Sequence, residues 1–512
     1  MTERRRPDAT AVPLASAGTP ADAGRDRRAL VAFVAIALVL RLPGHLNSGL
    51  WFDEIWLLVE TIRGPFRELL TTFPSDNHHP LYSVFAWLTV RAFGEHPWTL
   101  RLPAVLFGAA SIGMLWRLAL RVAPRDEATL ATALLCVSYH HVWFSQNARG
   151  YTMLLFWTLA ATHYLVRVYD GDGRRAWIGY GICLALATFT HASAVLVGVA
   201  HALIGVAVIT SSWSARSESA ERRWAPLLGV VLAGILSLAL HAGMLGDMIH
   251  FFSTTNRGAG VVIGGESEWT SLWWTLSAVV ESLGVPALLG YGTLALGSGI
   301  VLVGAAVWFR RDWRHALLFV LPVVVTVAAA IGSGRSLRPR FLFHFGGFGL
   351  LILVAGVFAT SDWVSRHVVL GAPDRTTLWL KRFAAALMLL ASLAILPRAY
   401  LLPKQDFEGA LRYVQEARRD GELVTVAGLA ALPYRDYYDA DFPEVVSAAE
   451  LDRLLEAYPA VYVLSTIPIF LESASFDLAA RLVDSREVAR FRGSLGGGDV
   501  VVYRFEGGGP TR

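Results

Sequence analysis

Two adjacent carboxylates, Asp53 and Glu54, close the run Leu50-Trp51-Phe52-Asp53-Glu54. A carboxylate in a partly dry site is suited to take a proton from an attacking hydroxyl or amine. The alternative is that the two cap a helix start, where the dipole favours negative charge. A second cluster is Asn77-His78-His79-Pro80-Leu81-Tyr82. Its histidines could ligate a metal, bind phosphate oxygens or act as acid or base, or they could be solvated loop residues. Adjacent histidines rarely ligate one metal together, so at most one serves as a ligand. A third is Ser145-Gln146-Asn147-Ala148-Arg149-Gly150-Tyr151, where Arg149 can hold a phosphate through paired hydrogen bonds or can snorkel to an interface. The same choice applies to Arg335, Arg338 and Arg340, three arginines within six residues. Tyr82, Tyr151 and His191 are expected to line the site, with His191 alternatively a packed polar residue.

These residues need elements that bring them to one level. The chain has 512 residues, 54% of them hydrophobic and 17% charged. Soluble domains carry about 25% charged residues, and the mean hydropathy is +0.47. The apolar residues gather in runs of about 15–25, which is the pattern of membrane helices, whereas barrel strands would alternate over about ten residues. A first run begins near Ala29, and others cover about 99–121, 127–144, 150–168, 176–190, 192–210, 225–246, 285–309, 315–332, 340–360 and 382–399. The expectation is an α-helical polytopic membrane protein with about eleven transmembrane helices. The stretch 176–210 would make roughly 50 Å of helix against a core of about 30 Å, so a turn is expected near His191.

Arginine placement supports that count. With the polar tail 1–28 in the cytoplasm and expected to be disordered, alternate loops carry Arg121 and Arg125, Arg174 and Arg175, Arg222 and Arg223, Arg310 and Arg311, and Lys381 and Arg382. This follows the positive-inside rule. The domain expected to span the membrane, 29–400, then has two larger outer loops, 47–98 and 247–284. The Arg335–Arg340 cluster falls on the outer side, against the rule, which favours an anionic ligand there. Within the first loop, Pro80–Phe93 is apolar but too short to cross, and reads as an interfacial helix carrying Tyr82, Phe85 and Trp87.

From about Lys404 the composition becomes that of a soluble protein. Helical patterns (Asp406–Arg418, Ala448–Ala457, Phe476–Val483) alternate with strand-like runs (Leu423–Val426, Val461–Ser465, Val500–Phe505). A small C-terminal α/β domain over 404–512 is expected, extracytoplasmic by parity. The two cysteines, Cys136 and Cys183, lie in apolar runs and exclude a disulfide framework. The basic residues form no cluster suited to nucleic acid. There is no phosphate-binding glycine loop, dinucleotide fingerprint or nucleophile elbow in a supporting context.

Trp51-Phe52-Asp53-Glu54, His79-Pro80-Leu81-Tyr82, Phe93-Gly94, Leu100-Arg101-Leu102-Pro103, Trp143-Phe144-Ser145-Gln146 and Ala148-Arg149-Gly150-Tyr151 occur in that order, with weaker echoes at Thr190-His191 and Arg340-Phe341. The ordered set resembles the GT-C superfamily of polyprenyl-phosphate-sugar glycosyltransferases, in particular the bacterial protein O-mannosyltransferase and lipid A aminoarabinose transferase families, over roughly residues 30–360. The resemblance implies a bacterial inner or plasma membrane enzyme. It would move a sugar from a polyprenyl-phosphate carrier to a protein, lipid or glycan acceptor, with inversion. It implicates Asp53 as the group that activates the acceptor, with Glu54 supporting it. It also places Arg149, His79 and the Arg335, Arg338 and Arg340 cluster at the donor phosphate. In the aminoarabinose branch a glutamate that binds a divalent metal stands where this chain has His78, and a lysine stands where it has His79. The competing class is a transporter or flippase. It would show repeated halves with matching broken spans, and the sequence has none. An oligosaccharyltransferase or polymerase of the same architecture is the other alternative.

Overall fold

The computed structural model describes residues 20–47, 49–75, 78–211, 220–254, 273, 276, 277, 280, 286–333, 339–368, 373–495 and 497–508. Among them, seven helices are long and apolar enough to cross a membrane: Pro97–Val122, Ala192–Ser211, Arg223–Thr254, Ala287–Arg311, Trp313–Gly332, Pro339–His367 and Asp374–Leu401. The four other runs expected to span are helical too. They are Pro20–Asn47, Arg125–Val137 followed by Tyr139–Ser145, Tyr151–Tyr169 and Arg174–Thr190. The 127–144 run is broken at Ser138, whose hydroxyl caps the second piece by accepting the His141 N–H. Arg174–Thr190 has 17 residues, about 26 Å of helix. The first helix begins at Pro20, so residues 20–28 extend it where a disordered tail was expected. Asp26 pairs with Arg125 and holds that extension down.

The turn required by length lies at His191. Helix Arg174–Thr190 stops there, His191 is extended (φ −158°, ψ 129°), and the chain re-enters through Ala192–Ala194 into Val195–Ser211. The Tyr180 hydroxyl of the first leg meets His201 of the second at 3.2 Å.

Polar groups buried within the bundle fix the segment that leads to Arg149. Arg41, fully buried in the first helix, donates to Ser145 Oγ (3.1 Å) and to the carbonyl of Ala37 (2.7 Å), and its guanidinium lies 2.6 Å from His141 Nδ1. Gln146 Nε2 donates back to the Arg41 carbonyl (3.1 Å). A charge at this depth persists only when its donors are used.

Pro80–Phe93 folds as a helix with proline at its start, and Gly94 ends it at φ +88°, a conformation that favours glycine. Residues Pro80–Ser83 and Ala86 are buried, whereas Phe85, Leu88 and Phe93 are exposed.

After Leu402 the chain builds a four-stranded sheet from β1 (Leu423–Ala427), β2 (Ala460–Thr466), β3 (Glu487–Phe491) and β4 (Val500–Glu506), in the order β1-β2-β4-β3. β1 and β2 are parallel and the other pairs antiparallel. Helices Phe407–Ala417, Ala448–Ala457 and Phe476–Val483 accompany it. One face of this domain does not stand apart from the rest. Phe407, Val414, Val424, Tyr434, Tyr462 and Val500 share a hydrophobic core with Leu50, Ile55, Leu69, Tyr82 and Leu100. That core forms the floor under the candidate site.

Candidate active site

Asp53 and Glu54 are the second and third residues of a short helix, Phe52–Leu57. Neighbours on a helix diverge by about 100°, and here the two carboxylates separate into different environments. Glu54 is fully buried. Its Oε1 accepts from Arg101 Nε (2.7 Å) and the Ala148 N–H (2.7 Å), and its Oε2 accepts from Arg101 Nη2 and the Trp51 N–H (3.3 Å). Arg101 is also fully buried and donates to the Gly49 carbonyl (2.7 Å). Burial alone would raise the Glu54 pKa, but the Arg101 guanidinium, the Lys404 ammonium and the Ala148 amide outweigh it and hold the group below the usual value. Asp53 keeps a fifth of its side chain exposed, with Oδ2 3.9 Å from Arg149 Nε.

Arg149 lies in the turn that opens helix Tyr151–Tyr169, so an anion beside it would also meet a helix N-terminus. Trp51 Nε1 donates to Asn147 Oδ1 (3.0 Å) and ties this turn to the Asp-Glu helix. Gly150 is required sterically. A Cβ there would lie 2.8 Å from His79 Nδ1.

The histidines gather against this turn. The rings of His79 and Tyr151 are 4.9 Å apart, those of His79 and His191 4.9 Å, and those of His191 and Phe341 6.0 Å. His78, His79 and His191 are buried, and both ring nitrogens of His78 and His79 and Nε2 of His191 have no hydrogen-bond partner among the described residues. Burial and then the Arg149 charge push His78 down to about 4 and His191 to about 3, and His79 falls well below its usual value. The charge of Arg340 adds to the effect at His79 and His191. At neutral pH the cluster is therefore two guanidiniums, three neutral imidazoles and one partly open carboxylate. Orphaned imidazoles beside guanidiniums suit an anionic, hydroxyl-bearing ligand.

These shifts carry a stability prediction. A histidine whose folded pKa lies below its unfolded value of about 6.5 contributes stability that is present above that value. The contribution is lost as pH falls toward the folded value. For His78 the change amounts to about 3 kcal/mol. The thermal midpoint of the detergent-solubilised protein is expected to drop as pH is lowered from about 6.5 to 4, and less steeply in His78→Asn. Equal slopes in both proteins would contradict the assignment.

The structure thus brings together Asp53, His78, His79, Arg149, Tyr151, His191 and Arg340. Glu54 sits behind them in its pair with Arg101. Tyr82, expected to line the site, is fully buried in the floor, its hydroxyl donated to the Leu100 carbonyl (2.7 Å). Arg335 and Arg338 lie outside the described residues, as does most of the loop 247–284 expected on the outer side. Among the described residues no three histidine, cysteine or carboxylate side chains converge as metal ligands. His78 instead packs edge-on against Phe73, with ring centroids 6.0 Å apart. These residues do not fit a divalent metal on His78. A cavity of about 330 Å³ lies between the bundle and the C-terminal domain, lined by Gly49, Trp143, Gln146, Lys404 and Ser494 among others and by none of the clustered residues. Sequence reading missed the partners: Arg101 is quoted in a motif without a role, Lys404 appears only as the domain boundary, and Gln405 is not singled out.

Residues 77–246 match the dolichyl-phosphate-mannose-protein mannosyltransferase family, and that segment contains His78, His79, Arg101, Arg149, Tyr151 and His191. No curated protein matches the sequence significantly. The archaeal oligosaccharyltransferase AglB from Archaeoglobus fulgidus, in complex with an inhibitory peptide and a dolichol-phosphate, is 14% identical. That alignment covers 94% of this chain and 74% of AglB, with a TM-score of 0.52. The oligosaccharyltransferase of the same organism in the apo form gives 10% identity over 89% of this chain and 72% of that one, at a TM-score of 0.54. ArnT from Cupriavidus metallidurans in the apo state gives 15% identity over 94% and 98%, at 0.48. At these identities the archaeal likeness is one of fold. It agrees with the polytopic helical architecture and small sheet region expected from the sequence. The family match over residues 77–246 agrees with the resemblance, drawn from the ordered motifs, to glycosyltransferases that use a lipid-phosphate sugar.

Proposed function

We propose that this glycosyltransferase moves a single sugar, such as mannose or arabinose, from a polyprenyl-phosphate carrier onto a protein, lipid or envelope-glycan acceptor at the outer face of the membrane. The observation that carries this reading is Asp53, partly open and 3.9 Å from Arg149, near the buried His78 and His79 imidazoles, which have no hydrogen-bond partner among the described residues. The acceptor hydroxyl or amine attacks the anomeric carbon from the face opposite the phosphate and gives its proton to Asp53. The bond from the anomeric carbon to the phosphate oxygen breaks, and polyprenyl phosphate leaves as an anion. Arg149, Arg340 and the N-terminus of helix Tyr151–Tyr169 receive the growing phosphate charge, and His79 and His191 contact sugar hydroxyls or phosphate oxygens. One displacement inverts the anomeric centre. Glu54 has no part in proton transfer on this reading, because its oxygens are filled by Arg101 and two backbone amides.

The test is a transfer assay with purified protein in liposomes. It uses radiolabelled polyprenyl-phosphate monosaccharides, oligosaccharide-loaded carriers and a membrane-plus-wall extract as acceptor source. Label transferred from a monosaccharide carrier is expected. Transfer only from oligosaccharide carriers would shift the reading to an oligosaccharyltransferase or polymerase. Flipping of labelled lipid without transfer would replace it with a transporter. Removing a preorganised charge partner costs about 10²–10³ in kcat. Arg149→Ala is expected to fall in that range, while Arg149→Lys, which keeps the charge but loses the planar fork, retains part of the rate.

A further inference from the structure

The carboxy-terminal domain reaches the first turn of the Asp-Glu helix through one side chain. Gln405 is buried, and its Oε1 accepts the Phe52 N–H at 2.9 Å, across 353 residues of sequence. Phe52 is the first residue of the helix and Asp53 the second. The other end of the amide is also held. Gln405 Nε2 donates to Thr466 Oγ1 (2.9 Å), at the last residue of β2, and that hydroxyl donates to the Asp499 carbonyl (3.0 Å). The preceding residue fixes the same strut from the other side. Lys404 is buried, donates to the Gln146 carbonyl and lies 5.7 Å over the Trp143 ring. Trp143 Nε1 in turn donates to Ser494 Oγ (3.0 Å).

A helix leaves its first amides without partners inside the helix; Glu54 and its bonds to Arg101 hold one side of this six-residue helix, and Gln405 supplies the partner of its first amide. Tethering the domain would need only the shared apolar core, whereas a buried amide with both ends hydrogen-bonded fixes one orientation. We propose that Gln405 is a positioning residue of the transfer reaction: by holding the Phe52 amide against the end of β2, it fixes the turn that carries Asp53. The carboxy-terminal domain is then part of the catalytic scaffold, and removing it removes catalysis.

This rests on the reading of Asp53 as the proton acceptor, and the experiment separates the two. Gln405→Met keeps the volume and removes both hydrogen bonds. Gln405→Glu keeps an oxygen for the Phe52 amide and can accept from Thr466. kcat and KM for the lipid donor are measured beside the thermal midpoint, with Asp53→Asn run in parallel. Misplacing a reacting group by about 1 Å costs on the order of 10² in rate. Gln405→Met is therefore expected to lose kcat toward that extent at nearly unchanged KM and thermal midpoint, and Gln405→Glu to recover most of it. A Gln405→Met protein that is folded and turns over at the wild-type kcat overturns the proposal while leaving Asp53 in place if Asp53→Asn is inactive. An active Asp53→Asn protein sinks the Asp53 reading instead. If Gln405→Met does not fold, Thr466→Val, which frees only the far end of the amide, decides: a lowered kcat supports the strut, and an unchanged kcat overturns it.

Discussion

Asp53→Asn is expected to fold normally and to lose transfer by about 10²–10⁴-fold, the range of a missing general base. Folding should survive because the side chain is partly exposed and its contact with Arg149, at 3.9 Å, is longer than a hydrogen bond. The amide is nearly isosteric but cannot accept the acceptor's proton. Donor binding should change little, because Arg149 remains to meet the phosphate. The loss should thus appear in kcat with KM for the lipid nearly constant, the pattern of an interaction made in the transition state. Glu54→Gln provides the contrast. That residue lies in the floor with both oxygens occupied, so its substitution should lower the thermal midpoint and yield. Any folded protein recovered should keep a larger share of kcat than Asp53→Asn. Single-turnover kinetics with a labelled donor, alongside thermal unfolding of both variants, checks the assignment. Equal kcat losses at equal stability would mean that the two carboxylates act together.

The family resemblance ranks Asp53 ahead of Glu54, but nothing in the sequence shows that one carboxylate is open and the other sealed. The dipeptide, the histidine pair, Arg149 and His191 each sit in a short local run, where residue type and helix-scale spacing reveal chemistry. Pro80–Phe93 was legible to both ends because Pro80 and Gly94 punctuate it. Whether one carboxylate is open and the other sealed depends on a partner 47 residues away for Glu54, and the orientation of their helix depends on Gln405. Neither pairing leaves a periodic signal. Tyr82 misled for a related reason. An aromatic on a short apolar helix suits an interface or a core equally well, and the Leu100 carbonyl decides for the core. In the C-terminal domain three strands are legible from their apolar runs, but β3 is not. It is an edge strand with Glu487 and Arg490 along it, the charged composition that protects an edge from pairing and erases the apolar alternation. Loop charge gives no sign of breaks within a span: Ser138 divides the run between Arg125–Val137 and Tyr139–Ser145, and His141 in the second piece lies against Arg41.

Arg101→Met is expected to be the most damaging single change to the fold. Both members of the Arg101–Glu54 pair are fully buried. Taking two charges out of water is costly, and the pair persists because its remaining sites are filled by the Gly49 carbonyl and the Ala148 and Trp51 amides. Removing the guanidinium leaves a carboxylate without its counter-charge in a dry floor, a loss of about 3–5 kcal/mol. A typical domain has only about 5–15 kcal/mol in all. The sign with pH distinguishes this from simple loss of packing. In the wild type the Glu54 pKa is held below its unfolded value, so the pair's contribution is present above that value and lost as pH falls through the folded one. In Arg101→Met, burial is left as the dominant influence and should raise Glu54 above the unfolded value. The variant's deficit should then grow as pH rises and narrow as pH falls toward 4, where a protonated carboxyl can be buried at less cost. Adding Glu54→Gln should recover part of the stability at neutral pH, since the charge to be buried is gone. Thermal midpoints of wild type, the two single variants and the double variant between about pH 4 and 8 form the measurement. A deficit independent of pH, with no recovery in the double variant, would mean that Arg101 stabilises the site by packing its stem and not by its charge.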